Sequence, residues 1–250
     1  MSDFPTTGYA SFDMLYAAPT STAKAMIGQV AEDQLGGRWR YCKAGAAIAN
    51  PLLGVGCYAL PDDCTPGATA VGSYTIAVTG LGTSSSVTKD QFQNGTIIIG
   101  AAAANRRFYH IKSNTSSTTT TTTLTLWHPV RYAIAGTEWA TIVPSPWSDV
   151  REIDDAAGYM SVVCMPLQPV TSSYYFWGKT RGPTFGVVSS TVPGAASNDR
   201  AIVFQGTDGA LIMADEAWNA GNSQQYAGWL IPRTGGTYGG GDQTFMLQLE

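Results

Sequence analysis

From residue 74 onward the chain is cut into short runs rich in β-branched and aromatic residues, each closed by Gly, Asn, Asp, Ser or Pro. The runs fall at 74–79, 96–99, 108–112, 121–127 and 139–143. They continue at 159–165, 174–180, 185–189, 201–205, 210–214, 229–231 and 244–249. Short runs at this cadence are the pattern of an antiparallel sandwich or barrel. The last run alternates, with Phe245, Leu247 and Leu249 facing in and Thr244, Met246 and Gln248 facing out, so the chain is expected to end inside a sheet. Asp208-Gly209, between two apolar runs, predicts a hairpin turn.

Six consecutive Thr at 118–123 lead into Leu124-Thr125-Leu126-Trp127. A β-branched side chain favours a pleated surface, so this segment reads as strand and not as low-complexity disorder. Leu124 and Leu126 then face in, and Thr123 and Thr125 face out.

Charged residues make up only 13% of the chain, about half the ~25% usual in soluble domains. The net charge of -4 argues against nucleic-acid binding. Hydrophobic content of 44%, with 7 Trp, 12 Tyr and 8 Phe, argues against disorder. No stretch approaches the ~20 apolar residues of a membrane helix, so no membrane partner is expected. Residues 1–22 lack the basic and apolar regions of a secretory leader, so synthesis in a cytosol is expected.

The expected fold class is all-β, an antiparallel β-sandwich or barrel-like domain or domains with an extended N-terminal arm. The arm, a hairpin and an irregular Gly/Ala/Pro-rich linker occupy 1–66. A β-rich region fills 67–250 and divides near 144–158, where Pro144, Pro146 and Trp147 interrupt the pattern. The arm carries Phe4, Tyr9, Phe12 and Tyr16, rings that call for a partner surface. Segments 26–31 and 38–43 read as the hairpin. In its second strand Trp39 and Tyr41 face one way, and Arg38, Arg40 and Cys42 the other, with Lys43 closing the basic edge.

Catalytic chemistry finds little to use. His110 and His128 are strand residues with ordinary structural readings, and no Gly-x-Ser-x-Gly elbow is present. Glu152, Asp154, Asp155, Asp215 and Glu216 read as solvated loop charges, and Asp62-Asp63 as a turn. The glycine-rich stretch 235–241 lacks the Lys-Ser/Thr of a phosphate loop. Cys42, Cys57, Cys64 and Cys164 have no metal-ligand spacing, and a cytosolic origin argues against obligatory disulfides, although Cys57 and Cys64 flank a turn that could close one. No cofactor, metal site or catalytic group is expected. In Tyr174-Tyr175-Phe176-Trp177, alternation puts rings on both faces of one strand, which implies burial on both. Lys179, Arg181 and Gly182-Pro183 read as a charged exit turn.

Two stretches carry a resemblance. Residues 28–45, Gly-Gln-Val-Ala-Glu-Asp-Gln-Leu-Gly-Gly-Arg-Trp-Arg-Tyr-Cys-Lys-Ala-Gly, resemble a segment near the start of small virion proteins of tailed phages, some of them capsid decoration (cement) proteins. Residues 174–182, YYFWGKTRG, are similar to a later segment of the same proteins. The resemblance implies a β-rich protein on the outer surface of the capsid, partnered by the major capsid protein, often a homotrimer, that stabilises the head shell. Phe4, Tyr9, Phe12, Tyr16, Arg38, Trp39, Arg40, Tyr41 and Lys43 then become capsid or subunit contacts, and Tyr175, Trp177 and Arg181 a subunit interface. The alternative is a tail-fibre or spike module that binds host-surface glycans on exposed rings, with Trp177 foremost. A glycan hydrolase is the third reading and needs two carboxylates in one cleft.

Overall fold

The computed structural model describes residues 8–9, 11–81, 86–100, 106–153, 160–189, 200–214, 224–231 and 243–250. Among them the regular secondary structure is almost entirely strand, with one four-residue helix. The first elements are β1 (Gly8–Tyr9), a four-residue helix α1 (Phe12–Leu15), β2 (Val30–Glu32), β3 (Arg38–Lys43) and β4 (Val55–Cys57). Then come β5 (Asp62–Pro66), β6 (Thr75–Thr79), β7 (Thr96–Gly100), β8 (Arg107–Asn114), β9 (Thr122–Leu126) and β10 (Trp139–Val143). The last are β11 (Val150–Glu152), β12 (Ser161–Cys164), β13 (Tyr175–Gly186), β14 (Ala201–Gln205), β15 (Leu211–Met213), β16 (Gln224–Leu230) and β17 (Gln243–Gln248).

The chain forms two compact units. One is Ala59–Ser148, inserted into the other, which resumes at Asp149 and runs to Glu250. The chain leaves and re-enters the second unit at one place: the Tyr58 N–H donates to the Asp149 carbonyl at 2.9 Å. Arg151 holds both Asp149 oxygens, at 2.7 and 3.0 Å, and lies 3.9 Å from the centre of the Tyr58 ring. The boundaries between the units lie at Tyr58/Ala59 and Ser148/Asp149.

The inserted unit is a closed six-stranded barrel in the order β10-β5-β6-β9-β8-β7. Its strands alternate as their sequences require. In β9, Thr122, Leu124 and Leu126 are buried and Thr123 and Thr125 are half-buried, so the threonine-rich run does enter a sheet. Ile76, Ile97, Ile99, Ile111, Leu124 and Ile142 meet in the barrel core, each less than 1% exposed. A buried side chain of this size contributes roughly 1.5–3 kcal/mol relative to solvent exposure.

The second unit holds an eight-stranded sheet, β1-β2-β3-β13-β17-β16-β14-β15, and a three-stranded sheet, β11-β4-β12. Phe204, Leu211, Leu230, Phe245 and Leu247 form one core. The Asp208-Gly209 turn joins β14 to β15 as expected: Gly209 has φ +74° and the Asp208 carboxylate accepts the Ala210 N–H at 2.9 Å.

Two expectations change. Segment 44–66 is not an irregular linker, since β4 and β5 lie inside it and pair with strands more than 70 residues downstream. Residues 181–183 are not an exit turn. β13 runs on from Tyr175 to Gly186, with a bulge between Lys179 and Arg181. Pro183 is tolerated because β3 ends beside Arg181, so from Gly182 onward only β17 pairs with β13. Gly182, at φ +102°, lets the Gly37 backbone come close: a Cβ there would sit 2.8 Å from the Gly37 Cα.

Candidate interaction surfaces

The two stretches that carry the resemblance are strand neighbours. β3 and the first half of β13 pair antiparallel, Tyr175 with Lys43, Trp177 with Tyr41 and Lys179 with Trp39. Their inward side chains form an aromatic cluster. Trp39 is 0% exposed and Tyr41 is buried, with Leu15, Ala31 and Trp177 around them. Tyr41 stacks on Tyr175 at 5.9 Å and meets Trp177 at 5.0 Å, and the edge of Tyr16 meets Trp39 at 5.6 Å.

The chain's own N-terminal segment covers this cluster. Leu15 of α1 packs into it, Thr20 exchanges backbone hydrogen bonds with Tyr175 at 2.8 and 3.0 Å, and Gln168 donates to the Tyr16 carbonyl. Trp39 and Tyr41 are therefore core residues and not partner contacts, which corrects the sequence reading. Trp177 is buried too, so it offers no open platform to a glycan. Tyr16 stays partly exposed, and Tyr175 lies half-buried with the Lys43 ammonium 5.8 Å from its ring centre. Phe4, and the side chains of Tyr9 and Phe12, lie outside the described residues. So do Asp154, Asp155, Asp215, Glu216 and the stretch 235–241.

Beneath the hairpin turn sits a charged pair. The Asp33 carboxylate accepts N–H groups from Gly37 at 2.7 Å, Leu35 at 2.9 Å and the Trp39 indole at 3.3 Å. Burial pushes its pKa up, but the donors Gly37, Trp39 and Leu35 and the charge of Lys179 outweigh this and hold it below the ordinary carboxylate value. Lys179 is buried and donates to the Pro183 carbonyl. Burial lowers its pKa, and Asp33 only partly offsets that.

A second surface lies on the outer side of the eight-stranded sheet. Glu32, Arg38, Arg181 and Gln248 form one row across β2, β3, β13 and β17. Arg38 pairs with Glu32 at 2.8 Å and Arg40 with Glu250 at 2.7 Å. Arg181 is exposed. The next row is apolar: Pro183, Met246 and Trp229, cross-strand partners on β13, β17 and β16. Phe185 (48% exposed), Trp229 (40%) and Tyr226 stand open around it. Sequence reading did not single out these rings: Phe185 faces outward because the bulge at Thr180 reverses the facing of β13, while Tyr226 and Trp229 stand on β16, whose facing is set by its pairing with β14 and β17.

Other residues singled out in the sequence have structural roles. Glu152 accepts the N–H groups of Ala49 and Asn50, at 2.8 and 2.7 Å. His110 is exposed on β8, 3.3 Å from the Thr96 hydroxyl. All four cysteines are free thiols. Cys57 and Cys64 are not bridged, and Cys42 and Cys164 place their sulfurs 3.7 Å apart in the core. No family model matches this chain, and neither a curated protein nor a solved structure is significantly similar to it.

Proposed function

We propose that this chain is a virion structural protein that binds the outer capsid surface as a homotrimer and stabilises the head shell. The observation that carries the reading is the apolar row Pro183-Met246-Trp229, with Phe185 and Tyr226, lying beside the Arg38-Arg181 row. An apolar centre with charged residues at its rim is the make-up of a protein interface. Burying it against a capsid subunit contributes roughly 25 cal/mol per Å² of apolar area before association costs are subtracted. The resemblance supports the same reading, since its two stretches form adjacent strands of this sheet and deliver Arg38 and Arg181 to that edge.

The contact residues of this proposal are Arg38, Arg40 and Arg181 with Phe185, Tyr226 and Trp229. Mixing the purified chain with expanded, undecorated heads tests it. Saturable co-sedimentation and greater resistance of the heads to heat are expected, both reduced by a Phe185→Ala/Trp229→Ala double substitution. A chain that binds no stage of the head is not a decoration protein.

A further inference from the structure

The outer wall of the barrel carries a different kind of surface. Trp139 opens β10 opposite Gly100 of β7. A Cβ at Gly100 would fall 2.5 Å from Cζ2 and 2.8 Å from Cε2 of the Trp139 ring. The indole thus reclines across the neighbouring strand and does not stand out from the sheet. It can do so only because residue 100 has no side chain. Its upper side stays open, with Trp139 47% exposed.

One residue pair along the sheet, Phe108, Ile98, Thr141 and Asp63 form a row across β8, β7, β10 and β5. Phe108 is 70% exposed and Ile98 half-buried. With strands about 4.8 Å apart and about 6.8 Å per two residues, Trp139 and Phe108 stand on the order of 12 Å apart across β7, and the indole lying over Gly100 brings the two rings closer than that. Polar groups edge them. The exposed Asp63 carboxylate accepts the Thr141 hydroxyl at 2.6 Å, and the Arg106 guanidinium lies 6.0 Å from the Trp139 ring centre.

The geometry points to a binding site for a neutral oligosaccharide on this wall, with Trp139 and Phe108 as stacking platforms and Asp63 and Arg106 bonding to hydroxyls. The apolar part is two rings and one isoleucine, far smaller than the roughly 800 Å² per partner of a stable protein interface. A sugar ring matches it, because one face presents C–H groups to the flat indole while its edge presents hydroxyls that both donate and accept. One carboxylate and one guanidinium at the rim suit such hydroxyls and leave no excess charge for an ionic ligand. This site uses neither Trp177 nor the sheet of the capsid proposal, so either can fail without the other.

The test titrates the full chain with cellohexaose, chitohexaose and maltohexaose, following the Trp139 indole N–H signal by NMR, assigned from its loss in Trp139→Ala. At least one oligosaccharide is expected to shift that signal saturably. Trp139→Ala and Phe108→Ala are each expected to weaken binding at least about tenfold, read by calorimetry. Gly100→Ala, which keeps the indole but lifts it off the strand, is expected to weaken binding as well, while Trp229→Ala leaves it unchanged. If none of the three sugars moves the signal, or if binding survives Trp139→Ala, the assignment is wrong. Concentration-dependent self-association that disappears in Trp139→Ala would also overturn it, in favour of a second copy of this chain.

Discussion

The ammonium of Lys179 lies 5.2 Å from the centre of the Trp39 indole, and the two residues face each other across β13 and β3. A buried lysine is tolerated here because the ring face, the Pro183 carbonyl and the field of Asp33 together replace water. Its folded pKa is lowered by burial, so in the alkaline window between that value and the ordinary lysine value the unfolded chain holds a proton that the folded chain has released. Stability from this group therefore rises with pH through that window and is level below it. Lys179→Met is expected to remove the rise, seen as the difference between wild-type and variant urea-unfolding curves from neutral to alkaline pH.

Asp33 acts in the opposite pH range. Its depressed pKa means that its stabilisation is present above the ordinary aspartate value and is lost as pH falls through that value toward the folded one. Asp33→Ala leaves the Gly37, Leu35 and Trp39 donors without their acceptor. It is expected to cost about 1–3 kcal/mol at neutral pH and to make unfolding less sensitive to acid. Denaturant titrations at neutral and acidic pH measure both effects.

Core and surface aromatics separate cleanly by substitution. Trp39→Ala is expected to lose roughly 3–5 kcal/mol of stability, because it opens a cavity among Tyr16, Tyr41 and Leu15. Arg181→Ala and Trp229→Ala are expected to stay within about 0.5 kcal/mol of the parent while lowering occupancy on capsids. Loss of capsid binding by Trp39→Ala at full stability would place that ring at the interface after all.

Gly178 packs directly against two core cysteines. A Cβ there would lie 2.4 Å from the Cys164 sulfur and 3.4 Å from that of Cys42. Gly178→Ala is expected to destabilise the chain by about 1–3 kcal/mol through overpacking. Combining it with Cys164→Ala, which removes the sulfur but keeps the Cβ that would lie 2.7 Å away, is expected to recover only part of that loss in thermal unfolding.

Thiol reactivity gives an independent reading of the core. Burial pushes the Cys64 thiol up to about 12, with Asp62 and Asp63 adding to it, and burial with the neighbouring Cys42 raises Cys164 well above an ordinary thiol. Cys57 is half-buried. Ellman's reagent is expected to label Cys57 first in the native protein and all four cysteines only after denaturation. Rapid native labelling of Cys164 would mean that the β3–β13 core opens readily.

Alternation alone determined a good part of this molecule. β9, β10 and β17 lie where the period-two pattern puts them, the Asp208-Gly209 turn joins β14 to β15, and the outward threonines and inward leucines of β9 keep their faces. Those features depend on neighbours a few residues away, so the local sequence contains the physics that decides them. The insertion of Ala59–Ser148, the bulge at Thr180, the run of β13 through Pro183 and the covering of Trp39 by Leu15 were decided only in three dimensions. Each depends on which distant strand supplies the missing hydrogen bonds or removes the ring from water. The same holds for the exposed rings: nothing local distinguishes Trp139 from Trp39, and only the glycine opposite the one and the segment packed over the other make the first open and the second buried.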